Sequence, residues 1–124
     1  MSDKTHIPIT RAVFDADDLA MVQEPLRSGW VVQGPYVREF EDAFTRFTAS
    51  PHAAATSSCT TAMHIAVAAL GLKPGDEVLV PAFTWIATAN CVEYMGAKPV
   101  FVDVDLATFN LDPAELERRV TGPG

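Results

Sequence analysis

Basic residues are scarce in this chain. Nine Lys and Arg stand against sixteen Asp and Glu over 124 residues, a formal net charge of −7 at pH 7. A nucleic-acid partner needs a basic footprint, and Arg118 and Arg119 form the one adjacent basic pair, so that class is set aside. Two cysteines, Cys59 and Cys91, are too few for the disulfide framework of a small secreted fold. No metal-ligand spacing links them to the three histidines, and no metal is expected. Every apolar stretch meets a polar residue well before the ~18–20 residues of a membrane helix, and the start, MSDKTHIPIT, lacks the apolar run of a signal peptide. A cytoplasmic protein with no membrane partner is expected. Neither GxGxxG nor a P-loop occurs, which removes the ordinary nucleotide fingerprints.

What is present is a composition of 48% apolar and 20% charged residues, ordinary for a globular protein, and a change of pattern near residue 50. Before it, two helices are predicted. Asp15 or Asp17 caps the first, which runs to Ser28 with Leu19, Val22, Leu26 and Met21 on its apolar side. Pro25 should kink or shorten this helix, and Gly29 should end it. After a loop, "GWVVQGP", the second helix spans residues 37–47 and buries Val37, Phe40, Phe44 and Phe47 at helical spacing.

After residue 50 the pattern alternates. "HAAAT" (52–56) reads as a buried strand, and 62–70 as a helix apolar on nearly every side and so covered on several faces. "EVLVPA" is the second strand, "TWIATANCVEYMG" a helix with Gly96 just past its end, and "KPVFVDVD" the third strand. Asp112 and Pro113 open a last helix. Strand–helix alternation is the mark of an α/β layer on a parallel sheet. Three apolar strands also need covering and pairing at their edges, so this looks like the front part of a larger domain. The expected division is 1–50, a helical segment with a substrate-side loop, and 51–124, the first strand–helix units of a truncated large domain.

Between the first of these strands and its helix lies a polar knot, Ser57-Ser58-Cys59-Thr60-Thr61. Ligands of open α/β sheets sit at the carboxyl ends of strands. The first N–H groups of a helix lack internal partners there and favour an anion. Ser58, Thr60 or Thr61 would add hydroxyls to a phosphate, although Ser and Thr also cap helices with no ligand at all. The next strand ends in "PAFTWIATAN", which brings Phe83 and Trp85 to the same edge. An aromatic there can stack on a flat ring whose phosphate docks next door, or simply fill the helix–sheet core. The third strand ends in Asp103-Val104-Asp105, readable as a metal-binding pair or as the cap of the following turn.

"SGWVVQGPYVREFEDAF", the block "SSCTTAMHIAVAALGLKPGDEVLVPAFTWIATANCVEYMGAKPVFVDVD" and "TFNLDP" together resemble the nucleotide-sugar aminotransferases of the DegT/StrS family. The resemblance runs over residues 7–121. It implies an α/β fold of the aspartate-aminotransferase type (fold type I of the pyridoxal 5′-phosphate, PLP, enzymes), three-layered with a mostly parallel sheet, of which this chain is the N-terminal part of the large domain. It implies PLP as cofactor, a nucleotide-sugar substrate, an amino donor that is usually glutamate, and a homodimer with sites at the subunit interface. Carried over by position, Ser58, Cys59 and Thr60 match the phosphate-holding motif, in which many members have Gly in place of Cys59. Trp85 matches the aromatic over the pyridine ring, Asn90 a residue of the site wall, and Trp30 and Gly34 a loop near the substrate.

PLP chemistry needs a lysine to hold the cofactor. The three lysines, Lys4, Lys73 and Lys98, sit in the N-terminal tail and in turns that feed strands, at the edge opposite the phosphate. No catalytic residue is therefore assigned in this chain, since the family's lysine comes later than its end, and the chain reads as a fragment. A sugar dehydratase of the same family, in which that lysine is replaced, is the near alternative. A non-catalytic stand-alone module that binds or assembles with a homologue is the more distant one. A general phosphate-binding α/β domain leaves the ordered match unexplained, and a reactive Cys59 thiol at the helix start lacks a histidine partner, since His64 lies about one turn into the same helix.

Overall fold

The computed structural model describes residues 7–120. The chain divides into two compact units, one ending at Ala54 and the other beginning at Ala55.

In the first unit, α1 (Ala16–Ser28) is started by a complete capping box. The Asp15 carboxylate accepts the N–H groups of Asp17 and Asp18 at 2.9 and 3.0 Å, and that of Asp18 accepts the Asp15 N–H at 3.0 Å. Pro25 removes one backbone donor but does not end the helix, which continues to Ser28 and stops at Gly29 in the left-handed region, φ 73°. The second helix, α2 (Pro35–Thr48), begins two residues earlier than expected, because Pro35 has its fixed φ at the first helical position. The expected burial of its stripe is corrected. Phe40, Phe44 and Phe47 are exposed and Val37 is half-buried, with Phe40 and Phe44 in ring contact at 6.1 Å. Leu19, Val22 and Leu26 of α1 are exposed too. The stripe forms as its spacing requires, but neither helix has a buried residue.

The second unit holds α3 (Cys59–Ala69), β1 (Glu77–Pro81), α4 (Ala87–Glu93), β2 (Lys98–Val102) and α5 (Pro113–Arg119). The two strands pair in parallel from Glu77↔Lys98 to Pro81↔Val102. The expected first strand at 52–56 is not in this sheet. A strand needs a backbone ladder, and the sheet among the described residues is made of β1 and β2. Helix α3 starts three residues before the expected position, since Ser58 is its N-cap. Helix α4 is shorter than "TWIATANCVEYMG", beginning after Ile86 without a side-chain cap. Strand β2 stops at Val102, beyond which Val104 makes an isolated antiparallel bridge with Leu111.

The core lies between α4 and the strands. Val80, Ala89, Cys91, Val92 and Ala97 are buried together, with Met63, Val67, Leu72 and Val78 packed on them. Helix α3 is therefore covered along its Met63–Val67 side, while Ile65 and Leu70 are exposed, which corrects the expectation of cover on several faces. Each fully buried valine contributes about 1.5–2 kcal/mol of apolar transfer. That small core fixes α3 and α4 against the parallel pair and so decides what stands at the carboxyl edge. Among the described residues no helix is long and apolar enough to cross a membrane.

Candidate functional site

The connection from α3 to β1 is short and well tied. The Asp76 carboxylate accepts the Lys73 N–H at 2.9 Å, and the Asp76 N–H donates to the Lys73 carbonyl at 3.1 Å. This turn sets the end of α3 beside the start of β1. An 11-residue helix is ~16 Å long, and a five-residue strand covers ~16–17 Å. With Met63 and Val67 packed on the Val80 cluster, the N-terminus of α3 comes level with the carboxyl end of β1. Ser58 and the segment 82–86 therefore share one edge of the unit.

At that edge Ser58 Oγ accepts the Thr61 N–H at 3.2 Å and bonds Thr61 Oγ1 at 3.0 Å. Ser57 Oγ also reaches Thr61 Oγ1, at 3.3 Å, and Thr56 Oγ1 donates to the Ser58 carbonyl at 3.0 Å. Thr61 is the centre of this hydroxyl cluster, and the Ser-x-x-Thr spacing of a capping residue and its third neighbour was the signal for it. The Ala62 N–H takes the Ser58 carbonyl. The N–H groups of Cys59 and Thr60 are the first-turn donors that a helix cannot satisfy itself, and Cys59 is exposed. Backbone donors at a helix start, backed by hydroxyls that can donate or accept, fit a phosphate ester.

Trp85 follows β1 and is 77% exposed, with its loop neighbours Phe83 and Ile86 also exposed. Its backbone carbonyl accepts the Thr88 N–H at 3.0 Å, and Thr84 Oγ1 bonds Thr88 Oγ1 at 3.0 Å, so the indole stands at the entry to α4. The core-filling alternative for Trp85 does not hold, because the ring is out of the core. Asn90, half-buried one turn into α4, gives its backbone carbonyl to the Tyr94 N–H at 2.9 Å. By this topology the knot and the indole belong to the same, carboxyl edge of the unit, and Asn90 lies one turn into α4.

The lysines are elsewhere. Lys98 is paired with Glu77 at 2.8 Å across the first register pair of the strands, and Lys73 is in the turn before β1. Both stand at the amino edge of the sheet. Lys4 lies outside the described residues. Of the Asp103/Asp105 pair, the Asp105 carboxylate is used locally. Asp105 accepts the N–H groups of Ala107 and Thr108 and the Thr108 hydroxyl at 3.1, 2.8 and 3.0 Å. The Thr108 hydroxyl, with the Thr108 and Ala107 N–H groups, holds this carboxyl below its usual range against a small opposing effect of desolvation. Among the described residues no group of three acidic, His or Cys side chains is placed to hold a metal.

Trp30 and Gly34 belong to the first unit and touch each other. The indole N–H donates to the Gln33 carbonyl at 3.2 Å. A Cβ on residue 34 would stand 1.9 Å from Trp30 Nε1, so any side chain there displaces the ring. The two residues line a cleft of ≈ 540 Å³ with Arg38, Asp42 and Arg46 of α2. Arg38, Asp42 and Arg46 were not singled out from sequence, where the apolar spacing of the helix carried the reading.

Comparison with known proteins follows the same residues. The family profile of the DegT/DnrJ/EryC1/StrS aminotransferases matches residues 13–123. The UDP-4-amino-4-deoxy-L-arabinose–oxoglutarate aminotransferase of Shewanella sediminis is 43% identical over 115 residues, which are 93% of this chain and 30% of that protein. A Streptococcus pneumoniae protein assigned as a sugar aminotransferase, solved in its PLP form, superposes with a TM-score of 0.83 at 35% identity, over 93% of this chain and 29% of that one. The GDP-4-keto-6-deoxy-D-mannose-3-dehydratase of Escherichia coli, solved with bound hydrated PLP, gives a TM-score of 0.84 at 33% identity over 94% and 31%. The chain thus spans about three tenths of the length of such relatives, and its parallel α/β architecture agrees with theirs. By its ordered match from residue 13 to residue 123, the chain belongs to the DegT/DnrJ/EryC1/StrS aminotransferase family.

Proposed function

We propose that this chain is the cofactor-phosphate portion of a PLP-dependent aminotransferase that moves an amino group, from glutamate, to a keto group of a nucleotide-linked deoxysugar. The observation that carries the reading is the Ser58-capped start of α3, with first-turn donors at Cys59 and Thr60, together with the exposed Trp85 indole after β1. The α3–β1 turn and the lengths of the two elements support a common edge for them. When bound, PLP supplies the electron sink that amino transfer needs.

The residues of this chain hold and orient. The N–H groups of Cys59 and Thr60 and the hydroxyls of Ser58 and Thr60 take the phosphate. Trp85 lies over one ring face and keeps water from it. Asn90 forms the wall on the α4 side, while Trp30 and Gly34 approach the sugar. The covalent lysine belongs to a part of the protein beyond these residues, and the active form is a cytoplasmic homodimer. The likeness to the E. coli dehydratase supports a second reading within the family. There the Schiff-base position holds another residue and the reaction is dehydration.

The test is the intact mass of the polypeptide from its native source, before and after borohydride reduction with PLP present. A chain longer than 124 residues that gains one reduced PLP supports the aminotransferase. A longer chain that binds PLP but gains no mass supports the dehydratase. A native 124-residue chain that gains none overturns both and leaves a non-catalytic module.

A further inference from the structure

The loop that presents Trp85 is braced from outside itself. Phe83, two residues before the indole, is in ring contact with Phe109, centroids 5.5 Å apart and planes tilted by 42°. Both rings are more than half exposed, so the contact is not a by-product of core filling.

Phe109 has φ 58°, the left-handed region that a bulky residue avoids. Such a conformation persists only where the surroundings over-determine it, and here they do. The Asp105 carboxylate collects the Ala107 and Thr108 N–H groups and the Thr108 hydroxyl. The Phe109 N–H donates to the Asp105 carbonyl at 2.7 Å, and the Asp105 N–H to the Asn110 carbonyl at 2.9 Å. The Val104–Leu111 bridge and the Asp112 N–H to Asp103 carbonyl bond, 3.1 Å, close the base of this loop just after β2. The other end of the segment is held to β2 as well, by the Ala82 N–H to Val102 carbonyl bond at 2.8 Å. The turn after β2 therefore projects an aromatic ring sideways onto the segment after β1.

We propose that Phe109 is a positioning residue of the cofactor site: held by the Asp105 turn, its ring braces Phe83 and fixes the segment that presents Trp85. The inference rests on the reading of Trp85 as the residue that covers the cofactor ring. An exposed indole on an unbraced loop loses rotamer and backbone freedom when it stacks, and bracing removes part of that cost beforehand.

The test uses the full chain labelled with 5-fluorotryptophan, the Trp85 fluorine resonance being assigned by its loss in Trp85→Phe. Phe109→Gly suits the left-handed backbone and so removes the ring while keeping the turn. In the cofactor-free protein it is expected to shift and narrow the Trp85 resonance and leave that of Trp30 in place. PLP affinity should fall roughly three- to tenfold, the scale of one aromatic pair, with Phe109→Tyr restoring both readouts. Phe109→Asn, also tolerant of left-handed backbone, should match Phe109→Gly and guards against a folding defect peculiar to glycine. An unchanged Trp85 resonance and unchanged PLP affinity in both variants overturn the brace while leaving the Trp85 reading intact. A parent Trp85 resonance that does not move on saturation with PLP overturns the reading itself, and the brace with it.

Discussion

The two units of this chain form their helices by the same local rules but are held together differently. In the unit ending at Ala54, α1 has a full capping box and a glycine stop, and α2 a proline start, yet neither buries a residue. In the unit beginning at Ala55, Ser58 and Asp112 cap α3 and α5, while α4 has no side-chain cap at its start. All the buried side chains among the described residues, Val92 at 1% exposure included, are in that unit. The difference teaches that capping decides where a helix begins, whereas burial decides whether an element is fixed in place. Of the candidate residues, Ser58, Trp85 and Asn90 belong to the unit with the core, and Trp30 and Gly34 to the other.

The sharpest way to break the comparison is a charge in each unit. Val92→Asp buries an unpaired carboxylate and should cost more than about 3 kcal/mol, erasing slow amide exchange across β1, β2 and α4. Val22→Asp, on an exposed position of α1, should change stability by no more than ~0.5 kcal/mol. Equal effects in hydrogen exchange would show that the first unit has a core after all.

A smaller effect is expected at the caps. Ser58→Ala removes the acceptor of the Thr61 N–H and should cost about 1 kcal/mol of α3 stability. On the proposed function it should also weaken PLP binding roughly tenfold, about 1.4 kcal/mol, measured by absorbance titration. Asp15→Ala removes the capping box of α1 and should cost about 0.5–1 kcal/mol, read as lost far-ultraviolet helicity. PLP affinity should not change, since no cofactor role is assigned to α1.

The smallest effect is a pH dependence at Asp105. Its carboxyl is held below the usual range, chiefly by the Thr108 hydroxyl and N–H. The turn's contribution is thus fully present above the unfolded carboxylate value, about 4, and is lost as pH falls through the lower folded value. Amide shifts of Ala107 and Thr108 should move in that acidic window, and Asp105→Asn should abolish the transition.

How much of this was legible in the sequence varies with the range of the cause. Local causes read well: Asp15 and Gly29 bound α1, Asp112 and Pro113 open α5, and the apolar runs at 77–81 and 98–102 are the two strands. Non-local causes did not. Residues 52–56 have a strand's composition, but pairing depends on a neighbour that five residues cannot specify. The stripe of Phe40, Phe44 and Phe47 predicted a buried face, and periodicity says which side is apolar, not what covers it. Among the candidate residues, Ser58 was legible as the cap of α3 and Trp85 as a residue just past β1. Phe109 was not, because nothing in a phenylalanine announces a left-handed backbone.

The two thiols of the chain differ in one further respect. Cys91 is buried, its Sγ–H directed to the Thr88 carbonyl at 3.2 Å, whereas Cys59 is exposed on the first turn of α3. A maleimide dye added to the folded chain should therefore couple at one position, beside the donors proposed for phosphate. These 124 residues thus already contain an attachment point for a fluorescent reporter of ligand arrival, with no engineered cysteine required in them.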